Sequence, residues 1–273
     1  MIIWIASYPK SGNTWVRLFL KSYFLGKNEQ LDINEDIKIP SFPETKYFDL
    51  LNIDYTRVTE LVKNWSLIQD SINLNGKTNF LKTHNGMFAI NNHKFTDEKN
   101  TIGAIYIVRD PRDVALSSAH HFGLTLEMAV ENILNPKNRE IMEYKNKKYT
   151  HSILGSWSDN YNSWKAYPLT DIIIIKYEDL INDTKNSFLK ILEYLKKKNN
   201  IKIDLDKMEK AIEETSFNNL KQKEDAFGFK ERSVHGHFFR KGIVGEWKNS
   251  LDKKLSNKIE NAFQKEMKEL KYL

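Results

Sequence analysis

The chain has 273 residues, 40% of them hydrophobic and 29% charged, with six Trp, no Cys and a formal net charge of +6. Disulfides and thiolate metal sites are therefore excluded, and the longest purely aliphatic run, Ile172 to Ile175, is far short of the roughly 20 residues that a spanning helix needs. The length fits one large α/β domain over residues 1–273. The opening "MIIWIASYPK" has neither the basic stretch nor the apolar core of a secretory signal, so a cytoplasmic location is expected. The basic balance favours an anionic partner. Stretches such as "YLKKKNNIKIDLDK" mix signs at helical spacing and read as solvated helix faces, so no nucleic acid is expected as a partner.

Four short apolar runs read as buried strands: Ile2–Ser7, Asn79–Thr83, Ile102–Val108 and Asp171–Tyr177. Helical patterns lie at Thr14–Leu25, Tyr55–Gln69, Arg112–His121, Leu126–Asn135, Ser152–Tyr167, Asn186–Lys197, Lys207–Thr215 and Leu251–Leu273. Strands alternating with helices predict a central parallel sheet flanked by helices on both faces. Ligands of such sheets bind at the carboxyl ends of the strands, so the residues just after each apolar run carry the most functional weight. Leu31–Tyr47, with Pro40 and Pro43, and Asn218–Arg240 read as long loops, the kind that form substrate walls.

After the first strand comes "SYPKSGNTW", Ser7 to Trp15. The free N–H groups of a helix start attract an anion, and Gly12 lets the backbone approach it closely. Lys10 adds a cation, and Ser11, Asn13 and Thr14 add donors. This is phosphate-cradle chemistry without the Walker A order, because Lys10 precedes the single glycine. After the third strand, Arg109 stands where the chain turns at Asp110-Pro111, and Ser117 follows eight residues later. A forked cation with a hydroxyl suits a terminal phosphate. In "FLKTH", Lys82 and His84 stand at the end of the second strand. An imidazole with a pKa near working pH suits general-base work there.

These segments resemble the cytosolic-type sulfotransferases, which use 3′-phosphoadenosine 5′-phosphosulfate (PAPS). "SYPKSGNTW" is similar to that family's phosphosulfate loop, and "FLKTH" to the strand end carrying its catalytic base. "IYIVRDPRDVALSSAHHF" (Ile105–Phe122) resembles its 3′-phosphate segment, and "FRKGIVGEWKN" (Phe239–Asn249) its C-terminal motif. Lesser echoes are "GSW…W…YEDL" (Gly155–Leu180) and "TSF" (Thr215–Phe217).

The resemblance implies a P-loop-NTPase-like three-layer fold and sulfuryl transfer from PAPS, with 3′,5′-ADP as product and no obligatory metal. The acceptor would be a hydroxyl or amine of a small molecule or carbohydrate. It casts His84 as general base, with Lys10 and Lys82 stabilising the departing oxygen. Lys10, Ser11, Gly12, Asn13 and Thr14 would cradle the phosphosulfate, and Trp15 would stack on adenine. Arg109, Ser117, Arg240, Lys241 and the N–H of Gly242 would hold the 3′-phosphate. Tyr177, Thr215 and Phe217 would lie around the adenine and phosphates.

The match departs in three places: "RDPRD" resembles bacterial and carbohydrate-type members as much as the animal phenol and steroid enzymes, the loop Leu31–Tyr47 has no counterpart that identifies an acceptor, and the dimerisation segment differs. Asp252 and Lys253 stand where the family's dimerisation segment reads Thr-Val, so no dimer is implied and the oligomeric state stays open. Two other readings compete. A small-molecule kinase of P-loop type would show Gly-Lys-Ser/Thr and a carboxylate for Mg²⁺, and neither is present. A non-catalytic nucleotide-binding protein would have no use for Lys10, Lys82 and His84 together. His235 or His237 lining an acceptor pocket is a further expectation; a zinc site is not, because no carboxylate–His pattern supports one.

Overall fold

A computed structural model describes residues 1–25, 29–35, 39–144, 148–166 and 171–273. The chain divides into two compact units. The first comprises Met1–Tyr8, Ile39–Ile107 and Asn135–Ile174; the second comprises Pro9–Lys38, Val108–Leu134 and Ile175–Leu273.

The expected strands form one four-stranded parallel sheet. Its order is β2 (Asn79–Thr83), β1 (Ile2–Ser7), β5 (Thr101–Val108) and β8 (Asp171–Lys176). β1 is central and buried along its whole length, which is why it reads as a continuous apolar run. It pairs in parallel with both neighbours, with Trp4 opposite Leu81 and Ala104, and Ala6 opposite Thr83 and Tyr106. This register has one chemical consequence. Ser7 and His84 each stand one residue past the last pair of β1 with β2, Ala6 and Thr83, so they emerge side by side at the carboxyl end of the sheet.

In the first unit, α2 (Thr45–Asp49), α3 (Val58–Lys63), α4 (Trp65–Asn73) and α7 (Trp157–Lys165) accompany the sheet. Two short hairpins add β3 (Ala89–Ile90) with β4 (His93–Lys94), and β6 (Arg139–Tyr144) with β7 (Lys148–Ile153). An aromatic chain fills the core. Trp4 packs on Phe42 and Phe95 at 5.6 and 5.0 Å between ring centroids. Phe95 passes the contact to Trp65, and Trp164 passes it to Tyr106. The Trp4 indole N–H is satisfied by Thr101 Oγ1 at 2.8 Å.

The second unit is helical: α1 (Asn13–Phe24), α5 (Pro111–Phe122), α6 (Leu126–Leu134), α8 (Tyr177–Asn182), α9 (Thr184–Asn199), α10 (Leu205–Glu214), α11 (Phe217–Phe227), α12 (Trp247–Ser250), α13 (Lys253–Ala262) and α14 (Gln264–Glu269). Phe19 of α1 stacks on Phe188 of α9 at 3.7 Å between centroids.

The structure corrects several expected elements. The Tyr55–Gln69 helix divides at Asn64, whose side-chain amide donates to Glu60 O at 2.8 Å and competes with the helical ladder. Ser152–Tyr167 begins as strand β7. Its helix starts only after the Ser156 cap, which exchanges hydrogen bonds with Asp159, and Tyr167 lies outside the described residues. Asn218–Arg240 is not all loop. It is helical to Phe227, starting from a Ser216 cap and ending at Gly228 with φ 72°. The final helix breaks at Phe263. Leu31–Tyr47 gives way to α2 from Thr45 onward, and its residues 36–38 lie outside the description.

Candidate active site

The first unit holds the expected acceptor-activating group. His84 is 8% exposed, and its Nδ1 lies 2.8 Å from Ser7 O and 3.3 Å from Ser7 Oγ. A carbonyl oxygen only accepts, so Nδ1 carries the proton. In the neutral ring the basic lone pair is then on Nε2. The backbone here is braced as well. Asn160, fully buried on α7, donates to His84 O at 3.0 Å and Leu154 O at 2.9 Å, and its Oδ1 accepts from Tyr106 OH at 2.9 Å. Trp164 Nε1 donates to Asn85 O at 2.9 Å. Lys82 is on β2, where its N–H donates to Pro40 O and its carbonyl accepts from Phe42 N–H.

The second unit gathers the expected donor-binding residues. Gly12 caps α1 at φ 102°, and no side chain caps the helix start. A Cβ on Gly12 would stand 2.6 Å from Tyr177 Cδ2, so only glycine allows the loop to lie against that ring. Lys10 is also left-handed, at φ 66°, and its ammonium lies over Phe238 at 4.2 Å from the centroid. Ser11 is fully buried and its Oγ has no hydrogen-bond partner. A buried orphan hydroxyl beside an uncapped helix start fits a ligand with several anionic oxygens.

Asn13 Oδ1 accepts from Arg17 Nε at 3.0 Å, and Thr14 Oγ1 donates to Glu231 Oε2 at 2.7 Å. Arg17 Nη2 reaches Glu231 Oε1 at 2.7 Å. Trp15 meets Tyr177 and Phe188 edge-on at 6.2 and 5.6 Å.

Arg109 joins these pieces. Its guanidinium lies 4.3 Å from the Tyr177 centroid and donates to Lys10 O at 3.3 Å and Ile243 O at 3.2 Å. Burial pushes the Tyr177 phenol above its ordinary pKa, against the opposing pull of Arg109. Ser117 lies in α5, the helix that follows Arg109. Gly242, at φ 62°, passes over the Phe217 ring so closely that a Cβ would stand 2.3 Å from Cδ2. Arg240 and Lys241 both pair with Glu246. Hydrogen bonding from Arg240, reinforced by Lys241, holds that carboxyl down to about 2. Thr215 is placed differently from the rest: its hydroxyl donates back to Ala211 O at 2.6 Å.

Residues 2–271 match the family described as "Sulfotransferase domain". The chain belongs to this family. Sulfotransferases are transferases, and the kinase and non-catalytic readings are set aside. The rabbit (Oryctolagus cuniculus) protein named amine sulfotransferase is 24% identical over 98% of this chain and 81% of its own length. Dog (Canis lupus familiaris) sulfotransferase 1B1 is 28% identical over 96% of this chain and 82% of its own length. A crystal structure of retinol dehydratase in a complex with retinol and PAP matches the fold with a TM-score of 0.63 at 21% identity, over 98% of this chain and 81% of that one.

Several residues of the candidate site in this sulfotransferase carried no signal in the sequence. Ser7 acts through its backbone carbonyl, which has no residue-type signature. Asn160 and Glu231 act across large sequence separations. His235 packs its ring against Gly123, where a Cβ would stand 2.5 Å away, and His237 faces Asp225 at 3.3 Å. Among the described residues, no group of three or more His, Asp or Glu is placed to hold a metal ion, and no helix is long and apolar enough to cross a membrane.

Proposed function

We propose that this chain acts as one sulfotransferase domain that moves a sulfuryl group from PAPS to a hydroxyl or amine of a small-molecule or carbohydrate acceptor. The observation that carries the reading furthest is the Ser7 carbonyl on His84 Nδ1. It fixes the tautomer in which Nε2 is basic. His84 accepts the acceptor proton at Nε2 while the acceptor oxygen or nitrogen bonds to sulfur. The bond from sulfur to the bridging oxygen breaks, and 3′,5′-ADP leaves. Lys10 and Lys82 offset the charge that develops on that oxygen. A sulfuryl group carries less charge than a phosphoryl group, so an obligatory metal is not part of the proposal.

The donor-binding half is supported by the second unit. Ser11, Gly12, Asn13 and Thr14 offer N–H and side-chain donors to the phosphosulfate. Arg109, Ser117, Arg240, Lys241 and the Gly242 N–H receive the 3′-phosphate. Trp15, Tyr177 and Phe217 supply aromatic surface for adenine, and such stacking is worth ~1–3 kcal/mol per base. Thr215 serves indirectly, by holding the end of α10 beside Phe217. The solved relative with PAP supports the donor class, and its retinol supports a small-molecule acceptor. A cytoplasmic location belongs to the same reading.

Calorimetric titration tests it. 3′,5′-ADP should bind much more tightly than 5′-ADP, without added metal. Equal affinities would remove the 3′-phosphate site and, with it, PAPS as donor.

A further inference from the structure

Arg240 and Lys241 are consecutive cations on long, rotamer-rich side chains. They repel one another, and ordering both costs conformational entropy. Glu246 gathers them. Arg240 Nη1 donates to Oε1 at 2.8 Å, Arg240 Nη2 donates to Oε2, and Lys241 Nζ donates to Oε1 at 2.7 Å. This forked pair uses one edge of the guanidinium and one proton of the ammonium. Arginine has five N–H donors and lysine three, so both keep donors for a further anion.

Glu246 is itself fixed. Its side chain is 9% exposed, against 49% for Lys241. Gly242 and Gly245, at φ 62° and 78°, turn the chain back towards α5. The N–H groups on either side of Glu246 then donate to one buried carboxylate. Gly245 N reaches Asp113 Oδ2 at 2.7 Å, and Trp247 N reaches Asp113 Oδ1 at 3.0 Å. Arg112, the neighbour of Asp113, stacks its guanidinium 3.6 Å from the Trp247 ring. Arg109 donates to Ile243 O within the same turn.

We propose that Asp113 and Glu246 are positioning residues for a 3′-phosphate. Asp113 anchors the turn to the helix that follows Arg109, and Glu246 holds Arg240 and Lys241 together and aimed. The proposal rests on the 3′-phosphate reading given above. Its sign is distinctive. A negative charge beside an anion site should by simple attraction weaken phosphate binding, so its removal should tighten it. A positioning role predicts the reverse.

The test is equilibrium binding of 3′,5′-ADP and 5′-ADP to the full-length wild type, Glu246→Gln, Glu246→Asp and Asp113→Asn, with thermal melts to confirm folding. Glu246→Gln should weaken 3′,5′-ADP by about tenfold, the scale of a lost charge-assisted hydrogen bond, and leave 5′-ADP within about twofold. Glu246→Asp should recover part of the loss. Asp113→Asn, which retains one acceptor, should show the same selective loss at smaller size. Unchanged or tighter binding of 3′,5′-ADP by Glu246→Gln would overturn the positioning role while leaving the 3′-phosphate reading intact. A wild type that does not distinguish the two nucleotides would overturn both. Equal weakening of both nucleotides by Asp113→Asn and Glu246→Gln would also overturn the inference, since it would show general loop damage.

Discussion

The two compact units treat charge in opposite ways. In the first, the candidate base is one buried imidazole, oriented by a backbone carbonyl and surrounded by amides and aromatic rings, with Lys82 as the unit's one candidate cation. In the second, the candidates are cations, each matched to a carboxylate, a carbonyl or a ring face: Arg17 on Glu231, Arg240 and Lys241 on Glu246, Arg109 on Tyr177, and Lys10 on Phe238. Proton abstraction needs a base whose lone pair is aimed outward, and an imidazole whose Nδ1 is tied to a carbonyl keeps Nε2 for that role. Binding a polyanion needs cations placed in advance, and adjacent cations must be held together by counter-charges until the ligand arrives.

The sharpest break in that comparison comes from His84. His84→Ala should reduce turnover by roughly 10²–10⁴-fold, the usual scale of a general base, with 3′,5′-ADP affinity unchanged. Rapid-quench turnover beside calorimetric binding measures the two separately, and a parallel loss of binding would place His84 among the donor-binding groups instead. Next in size is Arg109→Ala. Losing a forked, charge-assisted contact should weaken 3′,5′-ADP by about ten- to a hundredfold, with a much smaller effect on 5′-ADP.

Gly12→Ala should follow, through both strain and collision: φ is 102° and the new Cβ would meet the Tyr177 ring at 2.6 Å. A cost of about 1–3 kcal/mol in thermal stability is expected, with weaker nucleotide binding. A crystal structure of the variant with an unmoved Tyr177 would contradict this account of the loop.

The smallest effect concerns pH. Burial, with the nearby Lys10 charge, lowers the His121 pKa from 6.5 to about 4. The unfolded chain therefore takes up a proton below 6.5 that the folded chain refuses until about 4. Stability is full above the upper value and declines as pH falls through this window. His121→Gln should flatten that part of the stability curve, as read by denaturant melts across it. An unchanged slope would mean that other groups set it.

Much of this fold was legible in the sequence because parallel strands buried on both faces must be continuous apolar runs, and "IIWIAS" and "AIYIV" can be little else. The residues just after those runs, Lys10, His84 and Arg109, were marked by the same logic, since the strand ends carry the crevice. The hairpin of β6 and β7 was hidden because "REIMEY" and "KYTHSI" are too polar to look buried. The helix Phe217–Phe227 was hidden because few of its residues are buried. Ser7, Asn160, Glu231 and Glu246 were silent for a different reason. Each acts through a partner that only the folded chain supplies, and two of them act on backbone groups or through one.

The most direct measurement of the central claim is sulfuryl transfer itself. Purified protein is incubated with PAPS carrying a labelled sulfuryl group and a panel of phenols, alcohols, sugars and amines, in parallel with His84→Ala. The account predicts a labelled product with at least one acceptor, one 3′,5′-ADP released per product, and no product from the variant. Labelled product formed equally well by His84→Ala would contradict the base, and PAPS left intact beside every acceptor class would contradict the reaction.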